Sequence, residues 1–472
     1  MGMAIVSFPS GLFMMGMSGT LLILLLLLHS SLSKNIPETG LGILLFLGFA
    51  IGVQGMLLHS YIFLGDDYAG HRQYFQLLYK HLWLPKPKEG WEAYQPPLYY
   101  LLAIPFYAIG SLSGAIDPVE MTRFFSLCCY IFFLFYGLAT LNLLVRWKPA
   151  LYVMAIVFIT WPNGTVIAGK INNDVLIYPL FVASIYYFLL WQTKGEKPDL
   201  LRCMVLAIVS VAVKSIGILL CVSVMTVIIV RIVMRQIEWN TIVPSRSATI
   251  LVTLLLLVCV GSNFGRTYYY RIIDKSAQNY LVGNQHDNSR PKHSRYWLED
   301  DRINNYIIFN PKTFVSNPFF EPEGQHSDRY LFWNSLFKSL VFRKGYLPGD
   351  YWKVKQVACA IMTIYLGMLA YTFISMIGLI YKEKDARWHF FPILLVTALS
   401  VAGLIYLRIN YPLGGLANAR YIYFVLPWFL AFMGGTIAWH YESGRKKTAW
   451  TGMAGAISLV ISFLIFLTLQ WF

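Results

Sequence analysis

The chain has 472 residues, of which 57% are hydrophobic and 13% charged, and its formal net charge is +15. An average soluble domain carries roughly 25% charged residues. The composition therefore excludes a string of soluble cores, a disordered chain and a disulfide-stapled one, and leaves an all-α polytopic membrane protein.

A helix that crosses a bilayer needs about 20 mostly apolar residues. About 12 stretches meet that need: 4–30, 41–64, 122–145, 150–168, 175–192, 200–213, 216–236, 247–264, 356–380, 389–407, 420–440 and 449–471. The first has no cationic residues before it, which argues against a cleaved signal sequence. The apolar segment 96–113 reads instead as a helix lying on the membrane surface. The spans divide the chain into an N-terminal transmembrane module (1–264) containing a first external segment (65–121), an external region (265–355) and C-terminal helices (356–472).

The first polar stretch follows the span at 41–64: Gly65-Asp66-Asp67-Tyr68-Ala69-Gly70-His71. On a helix, Asp67 and His71 share a face. A carboxylate at the bilayer edge is partly desolvated and more basic, which suits a general base. Asp66 or Asp67 equally suits a helix N-cap. Next comes Trp91-Glu92-Ala93-Tyr94-Gln95-Pro96-Pro97-Leu98-Tyr99-Tyr100. Interfacial anchoring explains the aromatic residues, but not Glu92 or Gln95. Pro96 and Pro97 fix an extended lead into the helix that follows.

The third stretch is Gly169-Lys170-Ile171-Asn172-Asn173-Asp174, between two spans. It reads as a turn with an N-cap, or as an acid and two amides set at the membrane boundary. Lys214 interrupts the apolar stretch Val211-Ala212-Val213 near its outer end. A cation there either snorkels to the headgroups or pairs with a partner and marks a site, a phosphate being a natural one. The fifth is Arg408-Ile409-Asn410-Tyr411-Pro412 and Ala419-Arg420-Tyr421. Its two arginines suit phosphate in bidentate fashion or anionic headgroups.

Loops rich in Lys and Arg face the cytoplasm. Arg146 and Lys148, then Lys194 and Lys197, then Arg231 and Arg235, then Lys382 and Lys384, then Arg445 and Lys446 mark one set of alternate loops. That side is cytoplasmic, and 65–121 and 265–355 lie outside. Much of the positive charge thus records topology, and no nucleic-acid partner is implied. The cysteines, Cys128, Cys129, Cys203, Cys221, Cys259 and Cys359, fall in or near spans with no CxxC pair, as small packing residues do.

The order Asp67…His71, Glu92-Ala93-Tyr94-Gln95-Pro96-Pro97-Leu98-Tyr99-Tyr100, Asn172-Asn173-Asp174, Lys214 and Ala419-Arg420-Tyr421 resembles the GT-C glycosyltransferases. It is most similar to the family that includes the protein O-mannosyltransferases and the lipid A aminoarabinose transferase. The resemblance spans most of 41–440 and is most specific over 66–100. It implies a GT-C fold with juxtamembrane helices and a long external loop. It also implies transfer of a sugar from a polyprenyl-phosphate donor to a protein, lipid or glycan acceptor. By the same resemblance Asp67 is the base, although Tyr68 stands where the family has Glu and Asp66 precedes it, so both aspartates are candidates. Asp174 matches a further acid of the catalytic set. Glu92, Gln95, Lys214, Arg420, Tyr421 and His71 match residues that hold the donor and its phosphate. Some members hold a divalent metal cation, for which Glu92 and His326 are the candidate ligands here.

The implied step inverts the sugar: Asp67 takes the acceptor's proton, and Lys214, Arg420 or a metal meets the charge on the departing phosphate. A flippase or transporter of a lipid-linked amphiphile also embeds charges in membrane spans. Such proteins place them near the midplane, often between repeats, whereas here they gather at one face and no repeat is visible. A scaffold whose 265–355 region binds another protein is a third reading, since Tyr, Trp, Phe and Arg are common at interfaces. With no retention signal at the C-terminus, the expected setting is a bacterial inner membrane with the site facing the periplasm.

Overall fold

The computed structural model describes residues 39–58, 67–114, 116–238, 242, 245–275, 298, 302–320, 329–342 and 351–471. Among these residues the long regular elements are helices. In chain order they are α1 (Thr39–Leu58), α2 (Tyr68–His81), α3 (Leu98–Ser113), α4 (Pro118–Leu144), α5 (Lys148–Ile159), α6 (Pro162–Ala168), α7 (Asp174–Lys194) and α8 (Lys197–Val213). They continue with α9 (Gly217–Val233), α10 (Arg246–Ile273), α11 (Phe332–Val341), α12 (Tyr351–Lys382), α13 (Lys384–Asn410), α14 (Leu426–Glu442) and α15 (Lys446–Trp471).

Eight helices among the described residues are long and apolar enough to cross a membrane, or nine if α5 and α6 form one span bent by 53°. The chain is a multi-pass integral membrane protein. Of the expected spans, 4–30 lies outside the described residues. The stretches 200–213 and 216–236 correspond to α8 and α9, each of 17 residues, at the lower limit for crossing.

The expected end of the span at 264 is corrected. Its helix, α10, runs on to Ile273 through two π-helical turns, Gly261–Gly265 and Tyr269–Ile273. The helix continues into polar sequence because Asn263 and Arg266 find buried partners on its inner side, described below.

The chain forms two compact units, Met1–Ala139 with Thr165–Arg290, and Thr140–Gly164 with Pro291–Phe472. In the first, α8 packs against α7, α9 and α10, and α2 packs on α3. Ile208, Ala212, Val252 and Cys259 form a small core between α8 and α10. α3 buries Tyr99, Tyr100, Ala103 and Tyr107 on one face. Its other face exposes Leu101, Leu102, Ile109 and Leu112. A short helix with that division suits a position at the lipid boundary.

In the second unit, α12, α14, α15 and α5 pack together. α11 packs on the turn Ala419–Val425, where Ser339 Oγ accepts from the Ala419 amide at 2.8 Å. The six cysteines are free thiols.

Candidate active site

Asp66 lies outside the described residues. Asp67 immediately precedes α2, and its main-chain carbonyl accepts from the amides of Gly70 at 3.0 Å and His71 at 3.1 Å. Its carboxylate makes no cap hydrogen bond. The N-cap reading of Asp67 therefore accounts for its backbone and not for its side chain.

α2 buries Gly70, His71, Tyr74, Phe75 and Leu78, a helical stripe. Gly70 is required by close approach: a Cβ there would lie 2.6 Å from Glu92 Cγ and 2.8 Å from Trp91 Cδ1. Gln73 adds a second tie, donating to the Glu89 carbonyl at 3.0 Å and accepting from the Trp91 amide at 3.4 Å. The start of α2, with Asp67, is thus fixed beside the loop that carries Glu92.

His71 is buried, and its Nδ1 lies 2.7 Å from the Tyr100 hydroxyl. Tyr74 stacks on the Tyr100 ring. Burial pushes the Tyr100 pKa well above its ordinary value, and the Glu92 carboxylate pushes it further. Tyr100 is accordingly a neutral phenol, and it ties α3 to α2.

Glu92 is also buried. Its carboxylate accepts from Gln95 Nε2 at 2.9 Å. Gln95 Nε2 also meets the Tyr94 hydroxyl at 2.9 Å, while Gln95 Oε1 accepts from Asn173 Nδ2 at 3.0 Å. Asn173 Nδ2 reaches the Val213 carbonyl at 3.2 Å. A carboxylate only accepts, so Glu92 fixes which way the Gln95 amide points, and Gln95 in turn fixes Asn173. Asn173 occupies the N-cap position of α7 but makes no side-chain cap bond. Its amide is used between segments instead.

Asp174 opens α7 and is buried. Its Oδ2 accepts from Asn172 Nδ2 at 3.1 Å, and its Oδ1 pairs with the Lys214 ammonium. Lys214 is therefore the partner of Asp174 rather than a lysine snorkelling to the headgroups. It sits where α8 ends: its backbone is extended, and α9 begins three residues later. Gly217 permits that sharp corner, because a Cβ there would lie 2.5 Å from Ser210 C and Val211 N. The carbonyls freed at the end of α8 are taken up by the site itself. Asn173 binds that of Val213, and Asn263 Nδ2 binds that of Val211 at 2.7 Å.

α10 therefore touches both halves of this network. From its first π-helical turn, Asn263 braces the Lys214 corner and meets Ser215 Oγ at 3.3 Å. One turn on, Arg266 donates to four carbonyls of the Glu92 loop: Pro85 at 2.5 Å, Ala93 at 2.6 Å, Gln95 at 3.0 Å and Tyr94 at 3.3 Å. Arg123, buried in α4, plays a similar part for the third polar stretch. It donates to the Gly169 and Met56 carbonyls and pairs with Glu120 at 2.7 Å.

In the first unit the structure gathers Glu92 and Gln95 with Asn173, and Asp174 and Lys214 with Asn172, in two adjoining polar clusters, with Asp67 and His71 held beside the first. Arg420 and Tyr421 belong to the second unit. There the Arg420 guanidinium meets the Tyr421 hydroxyl at 2.6 Å and lies over its ring. Arg408 is fully buried, donates to the carbonyls of Arg329 and Tyr330 and lies over the rings of Tyr306 and Phe332. His326 lies outside the described residues. Among those described, no three His, Cys, Asp or Glu side chains gather as metal ligands.

Arg266, Asn263 and Arg123 were not legible as site residues. Arg266 and Asn263 fall at the end of an apolar run, where a polar residue reads as a span boundary. Their signal, in hindsight, is that the aromatic residues Tyr268-Tyr269-Tyr270 continue past them.

No family model and no curated protein matches the chain. Solved structures similar to it include two of ArnT from Cupriavidus metallidurans. The one bound to undecaprenyl phosphate has a TM-score of 0.39 and 13% identity, covering 85% of this chain and 77% of that one. The one in the apo state has a TM-score of 0.41 and 13% identity, covering 91% and 77%.

Proposed function

We propose that the chain is an integral membrane glycosyltransferase that moves a sugar from a polyprenyl-phosphate donor to an acceptor at the external face. The observation that carries this reading is the buried network Glu92–Gln95–Asn173 and Asn172–Asp174–Lys214 in a chain of apolar helices. Carboxylates, amides and an ammonium are costly in such surroundings unless paired, and they mark sites.

In the proposed step an acceptor oxygen attacks the anomeric carbon, its proton passes to Asp67, and the bond from that carbon to the phosphate oxygen breaks. One displacement inverts the anomeric centre. The donor's phosphodiester carries one negative charge, and the polyprenyl phosphate leaves with a second. No acid is needed to protonate it near neutral pH, but a cation must meet the added charge. In the first unit that cation is Lys214, held in place by Asp174. The loop charges fit a site on the non-cytoplasmic face, of a bacterial inner membrane or an endoplasmic reticulum, and the bacterial setting is the one proposed.

The test is mass spectrometry of the lipid that copurifies with the protein. A polyprenyl phosphate, with or without its sugar, is the expected result. Finding neither, with neutral or zwitterionic lipid alone, contradicts the reading.

A further inference from the structure

Asn172 holds an acceptor that the proposed step does not use. Its residue is 2% exposed, and its Nδ2 donates to Asp174 Oδ2 at 3.1 Å. Because a carboxylate only accepts, the amide nitrogen must face Asp174, and Oδ1 is thereby fixed as the acceptor on the opposite side. That oxygen is buried and has no hydrogen-bond partner among the described residues. Gln95, the neighbouring amide in the network, is engaged at both ends. A buried acceptor without a donor loses hydration and regains nothing, so its retention points to a ligand that supplies the donor.

The chemistry restricts that ligand. An acceptor needs an O–H or N–H group, and a phosphodiester has none to give. Lys214, the group assigned to the phosphate, is bound to the same Asp174, and the sugar ring is one bond from that phosphate. With 19% of its side chain exposed, Lys214 is the more open partner of the pair (5% for Asp174).

We infer that Asn172 Oδ1 accepts a hydrogen bond from a hydroxyl or amino group of the donor's sugar, making Asn172 a residue that distinguishes the sugar-bearing lipid from the bare lipid phosphate. The inference rests on the glycosyltransferase reading and names the residue that reads the sugar.

The experiment measures binding to the purified full chain in detergent. The probes are farnesyl phosphate and farnesyl phosphate carrying glucose, mannose, galactose or arabinose. The wild type is expected to bind at least one sugar-bearing probe more tightly than farnesyl phosphate. Asn172→Ala should lose about 10-fold more affinity for that probe than for farnesyl phosphate. Asn172→Leu, which keeps the size but has no acceptor, should behave as Asn172→Ala does and serves if that variant does not fold. Three results overturn the inference: no sugar preference in the wild type, an equal loss for all probes in Asn172→Ala, or an unchanged preference in both variants. A sugar preference that depends on Asn172, in a protein that transfers no sugar, would leave the contact standing and remove the enzymatic reading instead.

Discussion

Lys214 and Asp174, 40 residues apart, form an ion pair at the corner where α8 ends and α7 begins. Removing one partner leaves a charge in poorly solvated surroundings, at a cost of about 3–5 kcal/mol for a buried pair. Removing both is far milder. We therefore expect Asp174→Asn and Lys214→Met each to lower thermal stability in detergent, and the double variant to recover much of the loss. Strictly additive losses in the double variant would show that the pair is not coupled.

Gly70 sets the distance between α2 and Glu92. In Gly70→Ala the new methyl meets Glu92 Cγ at 2.6 Å, and one of the two segments must shift. Overpacking of this kind costs about 1–3 kcal/mol. The variant should remain folded but lose most sugar transfer, since Asp67 and Glu92 are displaced relative to each other. Wild-type turnover in Gly70→Ala would show that their spacing is immaterial.

Arg266 holds four carbonyls of the Glu92 loop with one planar fork. A lysine keeps the charge but not the fork. Arg266→Lys should therefore resemble Arg266→Ala, with faster proteolysis within 85–95 and lower transfer. If Arg266→Lys retained full loop protection, charge alone would explain the contact.

Tyr99 and Tyr100 are raised above their ordinary pKa of 10.0, both chiefly by burial. In the unfolded chain they ionise near pH 10, while the folded protein holds them neutral. Their contribution to stability is complete below pH 10 and is lost as the pH rises toward the folded-state values. Melting temperature should fall above pH 10, and less steeply in Tyr100→Phe. An unchanged slope in that variant would place the alkaline transition elsewhere.

The sequence carried the helical class because apolar runs of span length report burial in lipid directly, and α1, α4, α7 and α12 to α15 lie close to where those runs stand. Glu92, Asp174 and Lys214 were visible because charge is rare in this chain. Their pairing was not, since nothing in one dimension says that Lys214 meets Asp174 rather than a phosphate. The π-helical turns of α10 were hidden for a related reason. They depend on the partners that Asn263 and Arg266 find across the fold, not on the local sequence. Asn172 and Asn173 read as a turn and cap, and only the position of Gln95 shows that Asn173 is used at a distance.

The central claim is that Asp67 is the base of a sugar-transfer reaction, and the most direct measurement is acceptor-dependent release of polyprenyl phosphate from its sugar-bearing form in proteoliposomes. Wild-type protein should release polyprenyl phosphate and glycosylate the acceptor. Asp67→Asn should bind the donor with the same affinity and melt at the same temperature, yet release none above background. Full release by Asp67→Asn would contradict the assignment of the base. Movement of the intact donor across the bilayer by wild-type protein, with no bond cleaved, would contradict the enzyme.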